Sequence, residues 1–188
     1  MSNVKLAKEI PEEDLSCIKS KTKKSIFMIA NHRCIHALPN ILSLIEFANF
    51  KLEKNVVVSC VEALVKYSEP PVFPDTNDTA SKMINSPKII SSLARLASFD
   101  AEDKITLHLC EIARNLSQLE SGRKLLSHPL LSRIFVSASK SGDERTRHLA
   151  LAASIKMVDT NLSEAKASGN LKRKQDSIEL VKSLIKSL

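Results

Sequence analysis

Three residues near the start of the chain invite metal chemistry: His32, Cys34 and His36. Helical spacing puts the two imidazoles one turn apart on a shared face, as a zinc pair would be. The same spacing turns Cys34 away, because residues two apart do not face the same side. No third ligand follows at a workable spacing, so the pattern reads as structural or surface histidines and no metal is expected. His108, His128 and His148 are scattered, and His148 lies beside Arg145 and Arg147 on a charged helix face. Cys17, Cys34, Cys60 and Cys110 form no C-x-x-C pair, and each sits within an apolar helical pattern. They read as buried, reduced thiols of a reducing compartment, with a cytoplasmic setting expected. No glycine-framed serine or cysteine nucleophile and no phosphate-cradling loop occurs. The carboxylates fall at helix starts or beside lysines, where capping and ion pairing account for them. The expectation is a protein that is not an enzyme, with no catalytic residue and no cofactor.

The elements that carry these residues repeat. Pro39, Pro87 and Pro129 each open an amphipathic helix pattern, followed by a polar turn and a second, longer helix pattern. The steps between the prolines are 48 and 42 residues. A helical period of about 40–50 residues is the mark of a repeat architecture, in which no unit buries its apolar face alone. With Gly only 3 and Trp absent, the core is expected to be aliphatic and helical rather than a hairpin-rich β fold. No apolar run reaches the roughly 20 residues that a bilayer span needs, so no membrane insertion is expected. Residues 1–11 are polar and mixed in charge and do not read as a signal peptide.

The organisation divides into three. Residues 1–37 are expected as an N-terminal helical cap, with Leu15, Ile18, Ile26 and Cys34 on one face. Residues 38–160 form the repeat body. Its expected helices lie around Pro39 to Asn49, Val56 to Tyr67, Thr79 to Ile84, Pro87 to Ala97, Ala101 to Leu119, Ser121 to Leu126, Pro129 to Ala138 and Glu144 to Val158. Ser86, Asp100 with Asp103, and the Ser141–Glu144 spacing read as helix starts. Pro70, Pro71 and Pro74 exclude helix between the first two units. Residues 161–188 read as a polar linker, then a helix from Lys172 to Leu188 with an apolar stripe, which either caps the body or meets a partner helix. The net charge of +7 divides as +3, +1 and +3 over these parts. The body is nearly neutral, so nucleic-acid binding through the basic termini is the alternative rather than the leading reading.

Ile112-Ala113-Arg114-Asn115-Leu116-Ser117 resembles the third-helix "A-L-x-N-L" pattern of the armadillo repeat family. Ala63-Leu64-Val65-Lys66-Tyr67 and Ala153-Ser154-Ile155-Lys156-Met157 are the equivalent stretches, and Gly122-Arg123-Lys124-Leu125-Leu126 resembles the family's first helix. The resemblance covers roughly residues 38–160. It implies an all-α, right-handed superhelical stack of about three armadillo-like repeats, with two-helix HEAT geometry as the alternative. It also implies a concave face lined by the third helices. There Glu62, Lys66, Glu111, Arg114, Asn115 and Lys156 are the expected partner-binding positions, and Glu62 with Lys66 is expected as an ion pair. The tryptophan ladder of the import receptors has no counterpart, which removes the aromatic walls for a basic peptide. The implied role is a non-enzymatic scaffold or a subunit of a larger protein assembly. Glu13-Asp14-Leu15, the lysines from Lys19 to Lys24 and Leu38-Pro39 are similar to a stretch of axonemal armadillo proteins, which implies a ciliary location as one alternative. Lys172-Arg173-Lys174, read as a nuclear signal, implies the nucleus as another.

Overall fold

The computed structural model describes residues 24–26, 35–47, 50–70, 78–98 and 103–168, and positions 175, 178–179, 181–182 and 185–186. Among the described residues the protein is all-α, with no strand. The helices are α1 (Leu38–Phe47), α2 (Phe50–Ser68), α3 (Thr79–Ile84), α4 (Ile89–Ala97), α5 (Asp103–Leu116), α6 (Glu120–Leu126), α7 (Ser132–Ser139) and α8 (Glu144–Ser168). Single 3₁₀ turns, Ile35–Ala37 and Pro129–Leu131, lead into α1 and α7.

Hydrophobic spacing decides which side of each helix turns inward. Val57, Cys60, Val61, Leu64 and Tyr67 of α2 recur at steps of three and four, and all are buried. The same holds for Ile105, Leu109, Ile112, Ala113 and Leu116 of α5, and for Leu131, Ile134, Phe135 and Ala138 at α7. The core is one aliphatic cluster, with Tyr67 and Phe135 its largest side chains. Helices three apart in chain order meet across it. α1 packs on α4 and α4 on α7, α2 packs on α5 and α5 on α8, and α3 packs on α6.

Several helix ends differ from the sequence expectation, each for a local reason. α4 begins at Ile89 rather than Pro87, with no side-chain cap. Pro87 and Lys88 form a turn in which the Ile89 amide donates to the Ser86 carbonyl (3.2 Å). α8 is capped by Asp143 and not by Ser141: the Thr146 amide donates to the Asp143 carboxylate (2.9 Å), and the Thr146 hydroxyl does the same. Ser141 instead accepts from the Asp143 amide (3.1 Å), which shapes the turn before the cap. α8 runs on to Ser168, so the expected linker is helical through residue 168. Glu164, Ala165, Lys166 and Ala167 are good helix formers, and the sequence offers no breaker before Gly169. α2 starts earlier than expected, but Glu53 has non-helical angles (φ −120, ψ 23) that separate its first turn from the rest. α5 ends at Leu116, three residues early, because Ser117 and Gln118 turn under the side chain of Arg123.

Most of the N-terminal cap, Asp100, the prolines Pro71 and Pro74, and much of the last helix lie outside the described residues. Residues 24–26 are helical with Ile26 buried, and Ile178, Val181 and Ile185 are helical.

The α5–α6 crossing depends on a glycine. A Cβ on Gly122 would stand 2.1 Å from the Leu116 carbonyl oxygen and 2.8 Å from its carbon. Both are backbone atoms, so the crossing has to open to admit a methyl group. Gly122→Ala is therefore expected to destabilise the fold by about 1–3 kcal/mol, the usual cost of overpacking, measured by urea unfolding followed by circular dichroism.

The Asp143 cap carries a pH signature. The Thr146 hydroxyl and then the Thr146 amide hold the Asp143 carboxyl below its ordinary range. A depressed folded pKa stabilises fully above the unfolded value, about 3.9, and that stabilisation is lost as pH falls through the folded pKa. Asp143→Ala is expected to lower Tm at neutral pH, with the gap from wild type closing as pH is taken below the carboxylate range. A gap unchanged at acid pH contradicts this assignment.

Candidate functional site

The sequence points to the row formed by α2, α5 and α8, and its outer side is a ladder of polar contacts rather than an apolar groove. Glu62 on α2 pairs with Lys104 on α5 (2.8 Å). Two turns further along α5, the Glu111 carboxylate accepts from His108 Nδ1 (2.8 Å) and from Arg145 Nη2 on α8 (2.7 Å). His108 stands between two carboxylates, with Glu62 3.9 Å from its Nε2, and that nitrogen has no hydrogen-bond partner among the described residues. The ladder thus runs Glu62, Lys104 and His108, Glu111, Arg145 across three helices.

A second set of contacts lies toward the C-terminal end of α5. The Asn115 amide donates to Ser68 Oγ at the end of α2 (3.1 Å). Lys156 of α8 donates to the Gln118 side-chain oxygen. Arg123 donates to the Ser117 and Gln118 carbonyls (3.0 and 3.3 Å) and to Thr160 Oγ1 (2.6 Å). These carbonyls follow the last turn of α5, where the helix dipole favours a cation.

The six sequence-chosen residues separate in this frame. Glu62, Lys66, Glu111, Arg114 and Lys156 all reach the surface of the row. Asn115 does not: it is 8% exposed, because its amide is spent on Ser68 between α5 and α2. The Glu62–Lys66 pair does not form either. Lys66 turns to Glu69 (2.9 Å), leaving Glu62 to Lys104. Arg114 is exposed, and its guanidinium has no hydrogen-bond or ion-pair partner among the described residues. Sequence reasoning did not connect Lys104, His108 and Arg145 with this face. The signal that finds them is register: with α2, α5 and α8 side by side, Glu62 and Glu111 each fall beside a cation of the next helix.

Chemically, the row offers hydrogen-bond donors and acceptors of both charges. Lys104 and Arg145 are more than half exposed, so their pairs contribute at most about 1 kcal/mol each, whereas His108 and Glu111 are mostly covered. Among the described residues no group of histidine, cysteine and carboxylate side chains is arranged to hold a metal. His36 is exposed, whereas His32, Cys34 and Cys17 lie outside the described residues. No described helix is long and apolar enough to cross a membrane. No family model, curated protein or solved structure matches the chain.

Cys60 and Cys110 sit beneath this surface as free thiols, fully enclosed. Burial pushes both thiols up to about 12, and the Glu111 and Asp143 carboxylates add to the effect at Cys110. The thiolate is the reactive form. Neither cysteine is therefore expected to take up iodoacetamide in the folded protein at neutral pH, while both label in guanidinium chloride, as peptide mass spectrometry would show. Labelling of Cys60 or Cys110 under native conditions contradicts the packing described.

Proposed function

We propose that the protein is a short stack of about three armadillo-like repeats that works as a non-enzymatic protein-interaction module within a larger assembly. The observation that carries this reading is the order in which helices pack. α1, α4 and α7 follow one another, as do α2, α5 and α8, and α3 meets α6. On this reading α3, α4 and α5 form one unit and α6, α7 and α8 the next, while α1 and α2 belong to the unit before. Units of this kind share a core only with their neighbours. The row α2–α5–α8 then corresponds to the third helices, whose exposed positions meet a partner. Residues of both signs on this face, with the Arg114 side chain unpartnered among the described residues, favour a polar and specific contact over a greasy groove or a uniform phosphate track. Cytoplasmic, axonemal and nuclear settings are all compatible with a module of this kind.

The test has two parts. A tagged copy purified from its native source is expected to retain stable protein partners. Lys66→Glu combined with Lys156→Glu is expected to leave the fold within about 0.5 kcal/mol of wild type, as surface changes usually do, and to weaken partner retention. Retention undiminished in the folded double variant removes the α2–α5–α8 face from the contact. Binding to a generic oligonucleotide that falls steeply with salt, without protein partners, favours the nucleic-acid alternative instead.

A further inference from the structure

The last helices of the body carry a second surface, apart from the α2–α5–α8 row. From Ser121 to Gly142 the sequence holds Arg123, Lys124, Arg133 and Lys140 and no carboxylate. Two of these cations are engaged: Arg123 on Thr160 and the carbonyls after α5, and Lys124 on Glu120 (2.8 Å). Arg133 and Lys140 are exposed, and the side chain of neither has a hydrogen-bond or ion-pair partner among the described residues. They alternate with two exposed aliphatic side chains, Leu130 at 55% and Val136 at 45%. Steps of three, three and four place Leu130, Arg133, Val136 and Lys140 along one side of α7 and its leading turn. The opposite side holds the buried Leu131, Ile134, Phe135 and Ala138. Through that buried side α7 packs on α4, α5 and α8.

We propose that this strip of α7 docks an acidic amphipathic segment of a partner protein, with aliphatic side chains against Leu130 and Val136 and carboxylates on Arg133 and Lys140. Charge complementarity selects the occupant, since two cations with no partner among the described residues lie in a stretch of chain that supplies no anion of its own. A single-stranded nucleic acid uses aromatic platforms beside its cations, and the exposed apolar side chains of the strip are aliphatic. Anionic lipid recognition takes clusters of roughly four to eight basic residues, more than the strip presents. The proposal rests on the interaction-module reading but uses a different face from it.

The experiment is selection of a displayed random-peptide library against the full chain, followed by affinity measurement of an enriched synthetic peptide. Enriched peptides are expected to combine Asp and Glu with Leu, Ile or Val. Arg133→Glu with Lys140→Glu is expected to weaken the synthetic peptide by about tenfold or more, as reversal of charges facing a complementary partner does. Arg133→Gln with Lys140→Gln weakens it less, and Val136→Ser weakens it without a change in charge. Circular dichroism establishes that each variant is folded. Enrichment of peptides without acidic residues, no enrichment at all, or equal affinity for the folded Arg133→Glu, Lys140→Glu variant overturns the proposal. So does binding of phosphatidylserine vesicles or a single-stranded oligonucleotide that depends on Arg133 and Lys140 while peptide binding does not. Loss of peptide in the Lys66→Glu, Lys156→Glu variant alone places the contact on the α2–α5–α8 face. That result overturns the α7 site and leaves the module reading standing.

Discussion

The arrangement depends on the burial of α5. Ile105, Leu109, Ile112, Ala113 and Leu116 make it apolar over a wide arc, and it contacts α2, α4, α6, α7 and α8. Its neighbours also pack on one another, α1 on α4, α4 on α7 and α7 on α8, but α5 is where α2, α4, α6, α7 and α8 converge. α3 has six residues and α6 seven, below the length at which an isolated helix holds its shape in water. They persist because α5 and its flanking helices give their apolar sides somewhere to go. Burial at roughly 25 cal/mol per Å² of apolar surface is what holds this together, since the surface ion pairs are individually weak.

The polar contacts set register where burial alone would not. An aliphatic face slides easily, because one leucine replaces another. Asn115 reaching Ser68, and Glu111 reaching Arg145, are met at a single offset between the helices. Lys88 plays the same part between α1 and α4. It binds Glu46 at 2.9 Å, and its ammonium lies 5.9 Å from the centre of the exposed Phe47 ring. Arg123 joins the turn after α5 to α8 through Thr160.

Much of the helical framework is legible in the chain itself, because helix formation here is a matter of apolar period. Thr79–Ile84 coincides with its expected range, and the buried side of α2 is the side that the spacing marks. Helix ends are less legible, since Ser141 and Asp143 are both good capping residues and only the path of the turn chooses between them. The surface of the α2–α5–α8 row was legible as a set of positions but not as a set of partners. Glu62 has a lysine four residues ahead and another on the neighbouring helix, and the choice between them is made by packing. Asn115 belongs by sequence to an exposed motif, yet its hydrogen bond lies inside. Residues of a surface that spans three helices are far apart in the chain, and no local pattern ties Glu111 to Arg145.

The two described glycines show how unevenly such a framework constrains its own divergence. A Cβ at Gly142 would meet nothing within 4 Å among the described residues, while one at Gly122 would press on the end of α5. Position 142 is therefore free to drift among turn-forming residues as sequences separate. Position 122 is locked to glycine for as long as the α5–α6 crossing is retained. A distant descendant of this chain would be recognised less by its charged surface, which can be rewritten one pair at a time, than by that one glycine set six residues beyond a buried leucine.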